Sequence, residues 1–261
     1  MKYLSLVLLF ILGLPVMAQR PGAFPSGRIV DLTHPFDATT VYWPTAQPFK
    51  LETDFEGMTD KGYFYSAYRY SAAEHGGTHL DSPVHFAKGR YSVDQIPLQQ
   101  LMGEAVIVDV TSQCSANPDY LVSVADFQNW ERRNGRIRTG TIVFLRTGFG
   151  KYYPDLKKYL GTDERGDAAV AKLHFPGLDP AAARWLTQNR SIKAIGLDTP
   201  SIDYGQSTLF ESHRILFEKN IPAFENVANL DQLPLKGFSV IALPMKIKGG
   251  SGGPLRIVAL L

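Results

Sequence analysis

The sequence predicts a mixed α/β (α+β) fold, because apolar runs with β-branched residues alternate along the chain with segments that carry helix start signals. The predicted strands cover residues 28–32, 63–71, 105–110, 141–146, 194–198, 239–247 and 256–260. The predicted helices cover residues 122–134, 179–189 and 207–219. Two helices lie between strands, so we expect some parallel pairing, whereas the strand-rich first third is expected to be antiparallel.

The helix boundaries rest on residues that prefer helix ends. Ser123 is expected to cap the first helix, because its side-chain oxygen can accept from an N–H group that has no partner in the helix. Pro180 stands just inside the start of the second helix, where a missing N–H removes no hydrogen bond. Asn220 follows the third helix and is expected to end it.

Residues 1–18 predict a secretory signal peptide. Lys2 supplies one positive charge, an apolar run covers residues 4–16, and Ala18 offers a small residue at the cleavage site. The apolar run is shorter than the roughly 20 residues of a membrane span, and no cysteine follows it to carry a lipid. We therefore expect a secreted or periplasmic protein that has no membrane attachment after cleavage.

The remaining chain, residues 19–261, is expected to form a single domain with one sizeable core. It shows no internal repeat, no low-complexity tract and no long charged linker. The formal net charge of the whole chain is only +2, and basic residues are not clustered, which argues against a nucleic-acid-binding protein. Cys114 is the sole cysteine, so an internal disulfide is excluded and stability has to come from burial.

The most informative segment is residues 75–85, which holds three of the six histidines and one aspartate. Paired glycines and a proline disfavour a helix there, so an extended or looped chain is expected. His75, His79 and Asp81 then form a metal-ligand set of the kind that suits Zn²⁺ or Mn²⁺. Along a straight strand His85 would lie about 20 Å from His79, too far to share an ion, so we expect the chain to bend near Pro83 and interpret His85 as a base or proton shuttle beside the metal.

Two downstream residues are the best candidates to complete the site. Glu225 lies in an otherwise apolar segment, and a carboxylate is rarely buried there unless it is paired or bound to a metal. His213 falls on the expected buried face of the third helix, where a core histidine with one hydrogen bond is the usual alternative. That face is predicted to consist of the helix's apolar residues, Leu209, Phe210, Leu216 and Phe217.

Other signals leave their interpretation open. Asp198 and Asp203 follow a strand end, where ligands often gather. We interpret them as turn residues or as residues that hold a ligand side chain from behind. The glycine-rich segment 249–254 is predicted to be a tight turn, with direct substrate contact as the alternative, because it lacks the lysine of a P-loop. His34 is expected to orient a loop, and His174 has no acidic neighbour in sequence.

Residues 75–85 resemble the H-x-G-T-H-x-D-x-P-x-H signature of the metal-dependent cyclase family, which includes bacterial kynurenine formamidase and isatin hydrolase. Other landmarks are similar in the same order from Asp31 to Arg256, which covers nearly the whole mature chain. The resemblance implies a swivelling β/β/α fold, a homodimer, and one or two Zn²⁺ or Mn²⁺ ions. It also implies that Asp81 and Glu225 bridge to a second ion completed by His213, and that Trp43 stacks on an aromatic substrate.

The predicted function is hydrolysis of a small aromatic amide, either an arylformamidase reaction on N-formylkynurenine or the ring opening of isatin. A metal ion would activate water and His85 would transfer protons. Two alternatives come from other classes. One is an exported metal- or aromatic-ligand-binding protein without turnover. The other is a binuclear phosphoesterase, although no cation flanks the signature before Lys88.

Overall fold

The structure is a computed structural model that describes residues 27–261, so the predicted signal peptide lies outside the described residues. Its strands are β1 (Ile29–Asp31), β2 (Lys50–Met58), β3 (Phe64–Ser71), β4 (His79–Asp81), β5 (Met102–Asp109), β6 (Leu121–Val122), β7 (Ile142–Arg146), β8 (Gly177–Leu178), β9 (Ala194–Leu197), β10 (Ala223–Glu225), β11 (Phe238–Pro244) and β12 (Gly252–Leu260). Its helices are α1 (Thr111–Ala116), α2 (Val124–Asn134), α3 (Leu156–Leu160), α4 (Asp167–Val170), α5 (Pro180–Asn189) and α6 (Glu211–Phe217).

The main sheet closes on itself. Its strands follow the order β1-β12-β11-β5-β7-β9-β10-β4, and β4 also pairs with β12, the neighbour of the end strand β1, so the sheet closes into a barrel. Strands β5, β7, β9 and β10 run parallel to one another, as expected from the helices between them. The other pairings within the barrel are antiparallel. Closure leaves β4 and β10 with partners on both edges, which fixes their register.

Alternate residues of the barrel strands enter two separate cores. In β7, Ile142 and Phe144 belong to a core inside the barrel, whereas Val143 and Leu145 belong to a core between the barrel and the helices. In β4, Leu80 points into the barrel, so its neighbours His79 and Asp81 point outward. The ligand-type side chains therefore lie between the barrel wall and the helical layer.

Most predicted elements are confirmed within a few residues, but the third helix is shorter than predicted. It begins at Glu211 because Phe210 adopts a left-handed backbone conformation with φ of 47°. Leu216 and Phe217 are buried as predicted, whereas Leu209 is 63% exposed, so the prediction that Leu209 belongs to the buried face was wrong. No helix within residues 27–261 combines the length and the apolar character needed to cross a membrane.

Three strands that carry or border the site were not predicted. β4 and β10 have three residues each, which is too short for a period-2 pattern to stand out. β2 pairs with β3 in a two-stranded ribbon that stays outside the main sheet. Strand β3 ends at Ser71, so the ribbon joins the rest of the protein a few residues before His75, the first candidate ligand.

Candidate metal centre

The site is built where β4 and β10 lie side by side. Glu225 is directly opposite His79 in the antiparallel register, and Ala223 is opposite Asp81. Directly opposed side chains on one face have Cβ atoms about 5 Å apart, so Glu225 and His79 are forced to meet. The small side chain of Ala223 leaves room in front of Asp81. His213 reaches the same point from α6.

Four buried side chains converge there. The Nε2 atom of His79 lies 3.0 Å from Oδ1 of Asp81 and 3.5 Å from Oε2 of Glu225. The Nε2 atom of His213 lies 3.2 Å from Oδ2 of Asp81 and 3.1 Å from Oε1 of Glu225. The structure thus brings together Asp81 with the two downstream residues that the sequence singled out.

The far side of each imidazole is held by an acceptor. Nδ1 of His79 is 3.0 Å from the carbonyl oxygen of Gly77, and Nδ1 of His213 is 2.5 Å from Oδ2 of Asp203. Each Nδ1 therefore carries its proton as a donor, and each Nε2 faces the carboxylates. Asp203 therefore holds the ring of His213 on the side away from the cluster, where a carboxylate can orient a metal-binding histidine.

The donor set fits a divalent cation. Nε2 of His79 is buried and has no hydrogen-bond partner in the part of the chain that the structure describes, although two carboxylates lie within ion-pair distance. Among residues 27–261, no lysine or arginine forms an ion pair with Asp81 or Glu225. Two buried carboxylates without a fixed cation are costly, and a metal ion is the group that imidazole and carboxylate ligands of this kind accept.

The ionisation of the cluster reflects the same crowding. Burial opposes the charge of His79, but Asp81 and Glu225 outweigh burial and raise the pKa of His79 to about 9. Burial also opposes the charge of Asp81, yet the neighbouring His75 and His79 hold its pKa well below the usual range. For Glu225, burial and then the negative charge of Asp81 raise the pKa. The ionised form of Glu225 is therefore disfavoured in the metal-free cluster.

His75 approaches Asp81 from the pocket side. Its Nδ1 lies 2.6 Å from Oδ1 of Asp81, and its Nε2 lies 2.8 Å from the hydroxyl of Ser251. That hydroxyl and the Ser251 N–H are both held by the carboxylate of Glu74, at 2.6 Å and 3.0 Å. A Cβ on Gly252 would lie 2.6 Å from the ring of His75, so a glycine is required there.

These contacts explain the glycine-rich segment. It is the predicted tight turn, with φ of 75° at Gly249, and the N–H of Ser251 faces Glu74. Neither Glu74 nor Ser251 could be singled out from the sequence. The position of Glu74 next to His75 is the only local signal, and the approach of Ser251 depends on the pairing of β4 with β12.

His85 is brought beside the ligands by a bend in the chain. A short 3-10 helix, Pro83–His85, follows β4 directly, and the bend expected near Pro83 is therefore present. The ring of His85 stacks on that of His75 with 3.9 Å between centroids. Burial lowers the pKa of His85 to about 4, so its imidazole is neutral at neutral pH.

Two overlapping donor sets share Asp81. One set consists of His79, Asp81 and Glu225, and the other of His75, Asp81 and His85; within each set the donor atoms lie within 4.8 Å of one another. The first set is buried on all sides, whereas the second opens toward the pocket. The structure thus groups the expected ligands around Asp81 and places His85 close enough to be either a ligand or a proton carrier.

A cavity of about 240 Å³ opens onto this cluster. Trp43, Phe86 and Phe210 form an aromatic wall, with ring centroids 6.3 Å apart for Trp43 and Phe210 and 5.1 Å apart for Phe86 and Phe210. Phe86 also lies against His213, at 4.7 Å. Trp43 lines the cavity as expected, whereas Phe86 and Phe210 were not identified as functional residues from the sequence.

The other aspartate and histidine residues singled out from the sequence lie outside the cluster. The carboxylate of Asp198 accepts from the N–H groups of Thr147 and Gly148, at 2.8 Å and 2.9 Å, and so organises the loop after β7. His34 stacks on Tyr153 at 3.7 Å between ring centroids, away from the cluster. His174 is exposed, and its acidic neighbour, Asp119, is 2.8 Å away but distant in sequence.

The comparisons with known proteins agree with this geometry. The profile of a family described as putative cyclase matches residues 30–204. The isatin hydrolase of Roseibium aggregatum is 31% identical over 86% of this chain and 90% of its own length. A kynurenine formamidase of Salinibacter ruber is 28% identical over 88% of this chain and 96% of its own length. The solved structure of isatin hydrolase A from Ralstonia solanacearum has a TM-score of 0.80 and 34% identity, covering 89% of this chain and 91% of that one.

Barrel, buried ligand cluster and aromatic cavity together define a hydrolase of the metal-dependent type, and the enzyme class predicted from the sequence is confirmed. The chain belongs to the cyclase family. The fold class and the family resemblance predicted from the sequence are likewise confirmed.

Proposed function

We propose that this chain hydrolyses the amide bond of a small aromatic substrate, with the cyclic amide of isatin as the first candidate and N-formylkynurenine as the second. One observation carries the proposal. Nε2 of His79 is buried, has no hydrogen-bond partner among residues 27–261, and faces two carboxylates at the bottom of an aromatic cavity, beside the neutral imidazole of His85. The order of the substrates follows the higher identity to the isatin hydrolase.

The metal would be Zn²⁺ or Mn²⁺, held by His75, His79 and Asp81, with Glu225 and His213 completing a second position where two ions are bound. When bound, such an ion polarises the carbonyl and lowers the pKa of water to about 7. Elemental analysis of the purified protein would count the ions and identify the metal.

The protein's own residues do the rest. The ring of Trp43 offers a flat apolar surface on which an aromatic substrate can stack, and Phe86 and Phe210 extend the same wall and exclude water from it. His85 accepts a proton at its neutral imidazole from the attacking water and returns it to the leaving nitrogen. Asp203 and Gly77 keep Nε2 of both ligand histidines turned toward the carboxylates.

The proposal is tested by incubating the metal-loaded protein with isatin and N-formylkynurenine in parallel. Release of isatinate or of formate at a rate that depends on the metal supports it. Turnover of neither substrate, with metal bound, would favour the alternative of a binding protein without turnover. Turnover of a phosphate ester alone would favour the phosphoesterase.

Metal affinity is expected to weaken on acidification. Burial opposes the charge of His79, but Asp81 and Glu225 raise its pKa to about 9, so at neutral pH a metal ion has to displace a proton from Nε2. Below the pKa, one displaced proton lowers the apparent affinity by about tenfold per pH unit. Titration of the metal-stripped protein with Mn²⁺ between about pH 6 and about pH 9 measures this slope. A dissociation constant independent of pH would contradict it.

We further propose that the β2–β3 ribbon joins two copies of the chain into a homodimer. One face of the ribbon carries ion pairs such as Lys50 with Glu52. The other face carries large side chains that are 47–65% exposed, namely Leu51, Met58, Phe64, Tyr68 and Tyr70. A two-stranded ribbon is marginally stable alone. Half-exposed side chains of this size offer about 100 Å² each, so the five together offer about 500 Å², more than half of the roughly 800 Å² that one partner contributes to a standard interface.

The ribbon proposal predicts that Phe64→Ser combined with Tyr68→Ser yields a monomer. The two changes remove apolar area from the face assigned to the partner copy, and light scattering after gel filtration measures the mass in solution. The matched control is Tyr65→Ser, because Tyr65 is equally large and exposed but stacks on Phe55 on the other face, at 5.8 Å. A double variant that stays dimeric, or a wild-type chain that is monomeric, would exclude the ribbon as the interface.

Export stays a proposal that rests on residues 1–18 alone. Fractionation of cells that express the full chain would test it, since a cleaved, exported product would be shorter by the predicted signal peptide.

A further inference from the structure

Helix α3 sends a tyrosine toward the candidate metal centre from the layer between the barrel and the helices. Tyr159 is fully buried, and its hydroxyl lies 2.8 Å from Oδ1 of Asn226 and 3.2 Å from the carbonyl oxygen of Asp198. It does not line the cavity. A buried hydroxyl that is aimed at the residue next to Glu225 needs an explanation beyond packing.

Asn226 links this hydroxyl to a ligand histidine. Its Nδ2 donates to the carbonyl oxygen of Gly77 at 2.8 Å, and the same carbonyl accepts from Nδ1 of His79 at 3.0 Å. Because that carbonyl can only accept, the amide nitrogen of Asn226 has to point toward it. Oδ1 of Asn226 therefore points at Tyr159, whose single proton serves the shorter contact.

The middle of this chain is fixed on the backbone side as well. The hydroxyl of Thr78 donates to the carbonyl oxygen of Asn226 at 2.7 Å, and φ of Asn226 is 52°, a conformation that asparagine tolerates better than most residues. The amide of Asn226 thus has one orientation available. The Gly77 carbonyl accepts from both Asn226 and His79, which limits its rotation. The tilt of the His79 ring is limited in turn, because its Nδ1 donates to that carbonyl.

We propose that Tyr159 is a positioning residue for the metal site and that it acts through Asn226 and the Gly77 carbonyl on His79. The inference rests on the proposed metal-dependent function, but it concerns binding of the ion and not turnover.

The test is the affinity of the metal-stripped full chain for Mn²⁺ and Zn²⁺, measured by competition with a chelating dye. Tyr159→Phe keeps the ring and removes the hydroxyl, and we expect about a tenfold loss of affinity, the lower end for partners behind a ligand. The matched control is Tyr153→Phe. Tyr153 packs against Tyr159 at 5.4 Å between ring centroids, but its hydroxyl accepts from the N–H of Val41 and does not reach Asn226.

A second variant tests the route. Asn226→Gly keeps the left-handed backbone and removes the amide, so the added effect of Tyr159→Phe on metal affinity should disappear in that background. An undiminished effect there would overturn the proposal. So would an unchanged affinity in Tyr159→Phe together with a lower melting temperature of the metal-free protein, because that pattern describes a merely structural tyrosine.

The outcomes separate this inference from the function on which it rests. A wild-type chain that binds neither ion would contradict the proposed metal site itself. A wild-type chain that binds metal but hydrolyses no amide would contradict the proposed activity and leave the affinity test intact. If Tyr159→Phe does not fold, Asn226→Gly alone is expected to lower the affinity by at least as much, and an unchanged affinity there would overturn the route.

Discussion

Replacing Glu225 with glutamine is expected to lower metal affinity by at least about 100-fold, because the change removes one of two buried carboxylates and leaves the shape of the site unchanged. The same change should leave the melting temperature of the metal-free protein equal or higher. Burial and the charge of Asp81 raise the pKa of Glu225, so the ionised carboxylate destabilises the metal-free fold at neutral pH. A neutral amide removes that cost and can keep the hydrogen bond to the N–H of Ile202.

Thermal unfolding with and without metal measures both effects at once, since an ion that binds only the folded chain stabilises it by about 2.7 kcal/mol at 100 times its dissociation constant. The variant should lose this increment. Glu218→Gln is the matched control, because Glu218 is exposed and pairs with Arg90 at the surface. A metal-induced increment as large as that of the wild-type chain would show that Glu225 is not a ligand.

Replacing His85 with asparagine is expected to lower kcat by about 10²–10⁴-fold while the metal content stays unchanged. His85 stacks on His75 at the open side of the cluster, and burial keeps its imidazole neutral, as a proton acceptor has to be at neutral pH. Steady-state kinetics and elemental analysis of the same preparation separate the two roles that its position allows.

His174→Asn serves as the control, because His174 is exposed, pairs with Asp119 and has no contact with the cavity. Wild-type turnover in the His85 variant would exclude proton transfer by this residue. A loss of metal would instead place His85 in the second donor set, with His75 and Asp81.

Much of the fold could be predicted because its barrel strands are continuous apolar runs. One side of each of the strands β7 and β9 lies in the core inside the barrel, and the other side lies in the core under the helices. Strands that are buried on both sides are apolar runs, which stand out in a sequence. The start of α6 could not be predicted, because phenylalanine rarely adopts the left-handed conformation that Phe210 has and so gives no local signal for the turn. Strand β2 was missed because charged residues interrupt its apolar residues and it joins neither core, so it contains no continuous apolar run.

The site was predictable where its residues are close in sequence or chemically out of place. His75, His79 and Asp81 lie within seven residues of one another, and Glu225 is a carboxylate among apolar neighbours. Ser251, Glu74 and Tyr159 were not predictable as parts of the site. Each is an ordinary polar residue whose contact with a histidine network arises from strand pairing or helix packing far along the chain.

By itself the sequence determined the chemistry of this protein, because ligand type and spacing are local properties and the signature from His75 to His85 states them directly. Only the tertiary structure decided how these residues are arranged around one another. It placed Glu225 opposite His79, turned both imidazoles by means of Asp203 and Gly77, and set His85 against His75 instead of at the far end of a strand. The physical reason is that register and ring orientation are fixed by hydrogen bonds between segments up to 176 residues apart, and no local pattern encodes those.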